Sequence, residues 1–248
     1  IKTANPKLSV WQMTGDGDAL AIGGNHFIHE IRRNVDLNIV LFNNQIYGLT
    51  KGQYSPTSLF GQVTKTSPFG TVEQPFHPGE LVIGAQGKFF ARSLDNKVKE
   101  TTQVLIEADK HVGASVVEVL QNCIIYNDGA YNNITSKELR DDNQIWLEHG
   151  KPMLFGKDKQ KGLILNGMKL RVVELSNKIK EENILVHDAH EPDPSLHLAL
   201  INMRIGDGFP VAFGVIRQVE APAYDQLVEQ QIEEVQKTTK IKNMDDLL

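Results

Sequence analysis

An open, mainly parallel α/β sheet flanked by helices is the fold class this sequence predicts, and three observations lead to it. The run Asn38 to Phe42 is continuously apolar rather than alternating, as parallel strands buried on both faces are. Helix-period and strand-like segments alternate along the first half of the chain. The glycine-rich turn Gly15-Asp16-Gly17-Asp18 falls between a strand-like run and a helix-like one, where a strand–helix–strand unit reverses direction.

The elements follow in order. Leu8 to Met13, with Val10 and Trp11, reads as the first strand. Ala19 to Arg33 reads as a helix. Leu20, Phe27 and Ile31 fall near a 3.6-residue period, Asp18 is placed as N-cap, and Arg32-Arg33 suit the last turn. Asn38 to Phe42 returns as a buried strand. Residues 48 to 79 form a long segment rich in Gly, Pro, Ser and Thr, the texture of a functional or covering loop. A helix is predicted from Glu80 to Gln86, a strand from Phe89 to Arg92, a helix from Lys97 to His111 and a strand from Ser115 to Leu120.

After Cys123 the texture changes. Asn127-Asp128-Gly129 marks a turn-rich junction. A helix is predicted around Ser136 to Glu148, a hairpin around Lys157 to Gly167, a strand from Lys169 to Leu175, and a loop over His187 to Pro194. Helices follow over Ser195 to Arg204 and Tyr224 to Gln236. Two parts are expected: an α/β domain over residues 1–127, and an extension over 128–248 that packs on it.

Composition narrows the function classes. The chain has 248 residues, 40% of them hydrophobic, enough for a core without disulfides. No apolar run approaches the ~18–20 residues of a membrane span. A net charge of −5 argues against nucleic acid as a partner. With one cysteine, Cys123, a disulfide framework is excluded, which fits a reducing cytoplasm. The start, Ile1-Lys2-Thr3-Ala4, has neither an initiator methionine nor a signal-peptide pattern, and reads as a chain entered in mid-domain with an upstream segment missing.

Gly15 to Asn44 spans 30 residues, and that spacing has a geometric meaning. A helix over Ala19 to Arg33 covers about 22 Å at ~1.5 Å per residue. The return strand covers roughly 20 Å at ~3.3 Å per residue. Out and back nearly cancel, which brings Asn44 beside Asp16 at the carboxyl edge of the sheet, where open α/β sheets bind ligands. Gly15 and Gly17 allow a tight turn and close backbone approach, and the N–H groups of Gly17, Asp18 and Ala19 open a helix, an anion-binding position. Asp16, Asn44 and a backbone carbonyl offer oxygen ligands, which suit Mg²⁺ bridging a diphosphate.

The fuller strings, Gly15-Asp16-Gly17-Asp18-Ala19-Leu20-Ala21-Ile22-Gly23-Gly24-Asn25-His26 and Asn43-Asn44-Gln45-Ile46-Tyr47-Gly48-Leu49-Thr50-Lys51-Gly52-Gln53-Tyr54-Ser55-Pro56-Thr57, resemble the beta subunits of 2-oxoacid:ferredoxin oxidoreductases, the 2-oxoglutarate synthase type in particular. The resemblance is close over Ile1 to Asn127 and looser beyond. It implies a thiamine-diphosphate fold, with Asp16, Asn44 and the Ile46 carbonyl as Mg²⁺ ligands and Gly17, Asp18, Gly48 and Leu49 against the cofactor. It implies that Leu49 and Lys51 face the substrate, and that Lys51 meets the distal carboxylate of 2-oxoglutarate or coenzyme A phosphates. Cys123 sits where the family has the last of four cysteines holding a [4Fe-4S] cluster; the other three are not in this sequence. The implied reaction is oxidative decarboxylation of a 2-oxoacid, 2-oxoglutarate rather than pyruvate, to its acyl-coenzyme A and CO₂, with an alpha subunit and ferredoxin as partners. The alternatives are a non-oxidative thiamine-diphosphate decarboxylase or synthase subunit, and a non-catalytic assembly scaffold.

Other motifs receive plainer readings. His26-Phe27-Ile28-His29-Glu30 and His187-Asp188-Ala189-His190-Glu191 look metal-like, but neither has a third ligand at a clear spacing. Helix packing and a polar loop account for them. Lys151, Lys157, Lys159 and Lys161 read as a solvated hairpin.

Overall fold

The computed structural model describes residues 1–240. Six strands form one sheet: β1 (Trp11–Gly15), β2 (Asn38–Asn43), β3 (Phe89–Leu94), β4 (Ser115–Leu120), β5 (Gln144–Leu147) and, later in the chain, a long strand at Val211–Gln218. Three more strands, β6 (Leu154–Phe155), β7 (Lys161–Asn166) and β8 (Lys169–Glu174), make a separate antiparallel sheet, so the long strand is β9. The order in the main sheet is β1-β2-β4-β3-β9-β5. The first four run parallel; β9 is antiparallel to β3, and β5 is parallel to β9. The sheet is therefore mixed at one side and parallel where β1 and β2 lie.

Alternation along the strands sends neighbours to opposite faces, and a core forms on each face. On one face Ile39, Leu41, Phe90 and Val116 pack with helix α1 (Gly24–Arg33), through Phe27 and Ile31, and with α2 (Pro78–Gly84), through Val82. On the other, Val40, Phe89, Ala91, Val117 and Val119 pack with Val104 and Ala108 of α3 (Val98–Lys110). The short helices α4 (Asn132–Thr135) and α5 (Arg140–Asn143) follow, then α6 (Ser195–Ile201) and α7 (Tyr224–Thr238). No helix among the described residues is long and apolar enough to cross a membrane.

The structure corrects the sequence reading at four places. The expected helix over 19–33 is broken: Asp18–Ile22 form a π-helical turn, and α1 starts at Gly24. The Gly23 N–H bonds back to the Asp18 carbonyl at 2.7 Å, and any side chain at Gly23 would meet that same oxygen. Asp18 is not an N-cap, because the cap position falls on Gly17 and no side chain caps it. The helix expected over 136–148 is one helical turn, α5, followed by strand β5, since Ile145 and Leu147 are drawn into the sheet core beside β9. Strand β9 itself was not expected. It enters the sheet between β3 and β5, so residues beyond 127 complete the same sheet, and the antiparallel sheet adds Phe155 and Leu163 to the same core.

Candidate functional site

β1 and β2 are parallel neighbours in register Gly15↔Phe42, so the chain beyond each strand emerges at one sheet edge. Asp16 follows β1 directly, and Asn44 follows β2. Asp16 is 1% exposed. Burial holds its carboxyl above the usual carboxylate range, although the hydroxyls of Ser55 and Thr57 and the backbone N–H groups of Asn44 and Asp16 itself favour the anion. The Asn44 amide oxygen accepts from the Ile46 N–H at 3.2 Å, which folds that loop around its own side chain. Ile46 is buried.

Gly17 lies under an aromatic ring. The Tyr47 hydroxyl donates to the Gly17 carbonyl at 2.7 Å, and a Cβ at Gly17 would run into the Tyr47 ring. Glycine is required here for close approach, not for its backbone angles, since Gly17 has φ −62°. Beyond Tyr47 the chain forms a tight loop. The Tyr47 N–H donates to Gln53 O at 2.8 Å, and the Gly52 and Lys51 N–H groups donate to Tyr47 O and Gly48 O, each at 3.0 Å. Lys51 holds a left-handed φ of 64°. Leu49 is 97% exposed, and Lys51 is exposed beside it.

Under the site runs a buried polar chain. Asn43 Nδ2 donates to Glu118 Oε1 at 2.8 Å, and Glu118 Oε2 pairs with Arg92 Nε at 2.7 Å. The buried Tyr131 hydroxyl donates to the Asn43 carbonyl at 3.0 Å, and burial pushes that phenol well above its usual value. Both side chains of the ion pair are nearly inaccessible, so removing one partner alone would cost about 3–5 kcal/mol.

Cys123 is a half-buried free thiol at the start of a turn closed by Asn127, whose N–H donates to the Cys123 carbonyl at 2.9 Å. Ile124 and Ile125 in that turn are exposed. Among the sequence-predicted residues, Asp16, Gly17, Asp18, Asn44, Ile46 and Gly48 therefore lie on the two chain segments that meet at this sheet edge. Leu49 and Lys51 extend into solvent at a loop tip, and Cys123 stands on a neighbouring turn. Sequence reasoning gave no role to Asn43, Thr57, Arg92, Glu118 or Asn127. A signal existed for two of them, because Arg92 and Glu118 each interrupt an otherwise apolar strand, and charges in buried strands need partners.

As oxygen donors, the Asp16 carboxylate, the Asn44 amide and the Ile46 carbonyl form a set suited to Mg²⁺. A buried carboxylate whose charge is penalised by desolvation gains from a nearby cation, so the residues present fit that ion. A [4Fe-4S] cluster does not fit this chain alone. Such clusters take four ligands, and the sequence has one cysteine.

Comparison with known proteins identifies the family. The thiamine pyrophosphate enzyme C-terminal TPP-binding domain matches residues 1–119. The 2-oxoglutarate oxidoreductase subunit KorB of Mycobacterium tuberculosis is 43% identical over 232 residues, 94% of this chain and 62% of that protein. The 2-oxoglutarate synthase subunit KorB of Archaeoglobus fulgidus is 50% identical over 123 residues, 50% of this chain and 46% of that protein. A solved structure, 2-oxoglutarate:ferredoxin oxidoreductase from Magnetococcus marinus with 2-oxoglutarate, coenzyme A and succinyl-CoA bound, superposes with a TM-score of 0.71 at 25% identity, over 99% of this chain and 68% of that one. The chain thus spans less than two thirds of the length of the two KorB relatives. In sequence and fold, it belongs to the family of 2-oxoacid:ferredoxin oxidoreductase beta subunits.

Proposed function

We propose that this chain is the thiamine-diphosphate-binding beta subunit of a 2-oxoglutarate:ferredoxin oxidoreductase, working with an alpha subunit, coenzyme A and ferredoxin in the cytoplasm. The observation that carries the reading is the buried Asp16 carboxylate directly after β1, beside the parallel strand β2 that Asn44 follows. The names of the relatives and the ligands in the related structure support the substrate class. Residues 1–127 are read as the cofactor domain, and 128–248 as an extension that also completes its sheet through β5 and β9.

Thiamine diphosphate, when bound, would supply a carbon nucleophile for the keto group and an electron sink for decarboxylation. The chain's own residues bind and orient. Asp16, Asn44 and the Ile46 carbonyl hold Mg²⁺, and the Gly17 and Asp18 N–H groups at the helix entry receive the diphosphate. Gly48 and Leu49 line the cofactor, and Lys51 meets the distal carboxylate of the substrate. Cys123 offers one thiolate toward an iron–sulfur cluster whose remaining ligands lie outside this sequence, and no binding step above depends on it.

The test is turnover by the full-length beta subunit assembled with its alpha subunit. With 2-oxoglutarate and coenzyme A, it should form succinyl-CoA while reducing ferredoxin. Release of CO₂ without ferredoxin reduction would point to a non-oxidative decarboxylase, and absence of cofactor binding to an assembly scaffold; either overturns the reading.

A further inference from the structure

The turn Ser55-Pro56-Thr57-Ser58 takes no part in the chemistry above, yet its three hydroxyl residues are 2–3% exposed. Burying a hydroxyl costs free energy unless it finds a partner, and these partners lead to the candidate cation site. Ser55 Oγ and Thr57 Oγ1 both donate to the same oxygen of Asp16, Oδ2, at 2.6 and 2.5 Å. Ser58 Oγ accepts from the Ser55 N–H at 2.8 Å and donates to the Gln45 carbonyl at 2.7 Å. Gln45 lies between Asn44 and Ile46 and holds a left-handed φ of 58°, a conformation that needs outside support in a residue with a side chain. One turn therefore grips both the carboxylate that follows β1 and the bend that follows β2.

The turn is itself anchored. Thr57 Oγ1 also stands 3.0 Å from Asn43 Oδ1, which links it to the buried Glu118–Arg92 pair. Its single hydrogen serves one acceptor at a time. The choice of hydroxyls is informative. A lysine or arginine at these positions would neutralise Asp16 and compete with a cation, whereas neutral donors fix the carboxylate and leave its charge available.

We infer that Ser55, Thr57 and Ser58 are positioning residues for a divalent cation. Ser55 and Thr57 hold Asp16 by Oδ2 and so fix the orientation of its carboxylate, and Ser58 fixes the bend between the other two ligands. This rests on the proposed Mg²⁺ site.

The experiment is calorimetric titration of Mg²⁺ into the assembled full-length complex saturated with thiamine diphosphate, together with the melting temperature of each cofactor-free variant. Thr57→Val, nearly isosteric, should weaken Mg²⁺ binding about tenfold or more. Ser55→Ala should weaken it several-fold, and Thr57→Ser should bind within a factor of about three of the wild type. Cofactor-free melting temperatures of the variants that fold should stay within a few degrees of the wild type. Wild-type affinity in Thr57→Val, or in Ser55→Ala if Thr57→Val does not fold, overturns the inference, as does Thr57→Ser failing to restore binding. A wild-type complex that binds neither Mg²⁺ nor cofactor overturns the proposed function instead, so the two failures are distinguishable.

Discussion

Asn127 Nδ2 donates to the Asn44 carbonyl oxygen at 2.9 Å. The same residue closes the Cys123 turn through its backbone N–H, and its Oδ1 accepts from Gln62 Nε2 at 3.3 Å. One amide therefore joins three segments that are remote in sequence: the loop after β2, the long covering loop and the turn after β4. Replacing Asn127 with alanine should leave the fold intact while loosening the Cys123 turn, at a cost of about 1–3 kcal/mol for the two lost side-chain hydrogen bonds. Hydrogen exchange is the check. Faster exchange at the Asn127 amide and around residues 44–46 is expected, with the central strands unchanged.

Gly17 and Tyr47 form a steric pair. Gly17→Ala should push the Tyr47 ring off the turn and break its hydrogen bond to the Gly17 carbonyl, destabilising the protein by about 1–3 kcal/mol. Adding Tyr47→Ala should recover part of that loss. A double-mutant cycle on denaturant midpoints measures the coupling, and a coupling near zero would refute the steric account.

These contacts mark the boundary of what the sequence makes legible. The parallel core was readable because β2 and β4 are short apolar runs separated by amphipathic helices, and Asp16 and Asn44 were readable because a helix and its return strand nearly cancel in length. Strand β5 was misread as helix: Gln144-Ile145-Trp146-Leu147 is too short for its period to decide, and pairing with β9 settles it. The hydroxyl turn and Asn127 were hidden for a different reason. Their partners lie 39 and 83 residues away, and a side chain's burial in a loop leaves no periodic trace.

His187 gives the protein an acid sensitivity. The residue is 1% exposed; its Nε2 lies 2.9 Å from the Val215 carbonyl, and its Nδ1 has no partner among the described residues. Burial pulls its pKa from 6.5 to about 4. The folded state therefore binds fewer protons than the unfolded state in that window, so stability is full above pH 6.5 and falls as the pH drops toward about 4. The loss from this one group amounts to up to about 3 kcal/mol. His197, 6.3 Å away between ring centres and also lowered by burial, adds to it. Urea unfolding from pH 7 to 5 should show the slope, and His187→Gln should reduce it by about one proton. An unchanged slope would contradict this assignment.

Lys51 is held in a left-handed conformation at the exposed tip of the 47–53 loop. If it meets the distal carboxylate, Lys51→Ala should raise KM for 2-oxoglutarate by about tenfold or more, the value of one charge-assisted contact. Turnover of pyruvate, which lacks that carboxylate, should change little. Equal effects on the two substrates would remove Lys51 from this role.

The central claim is that Asp16 holds the metal of a thiamine-diphosphate site. Calorimetry of thiamine diphosphate with Mg²⁺, on the assembled full-length complex and on its Asp16→Ala variant, tests it most directly. The account predicts saturable, Mg²⁺-dependent binding to the wild type and its loss in the variant; binding of equal affinity in both would contradict it.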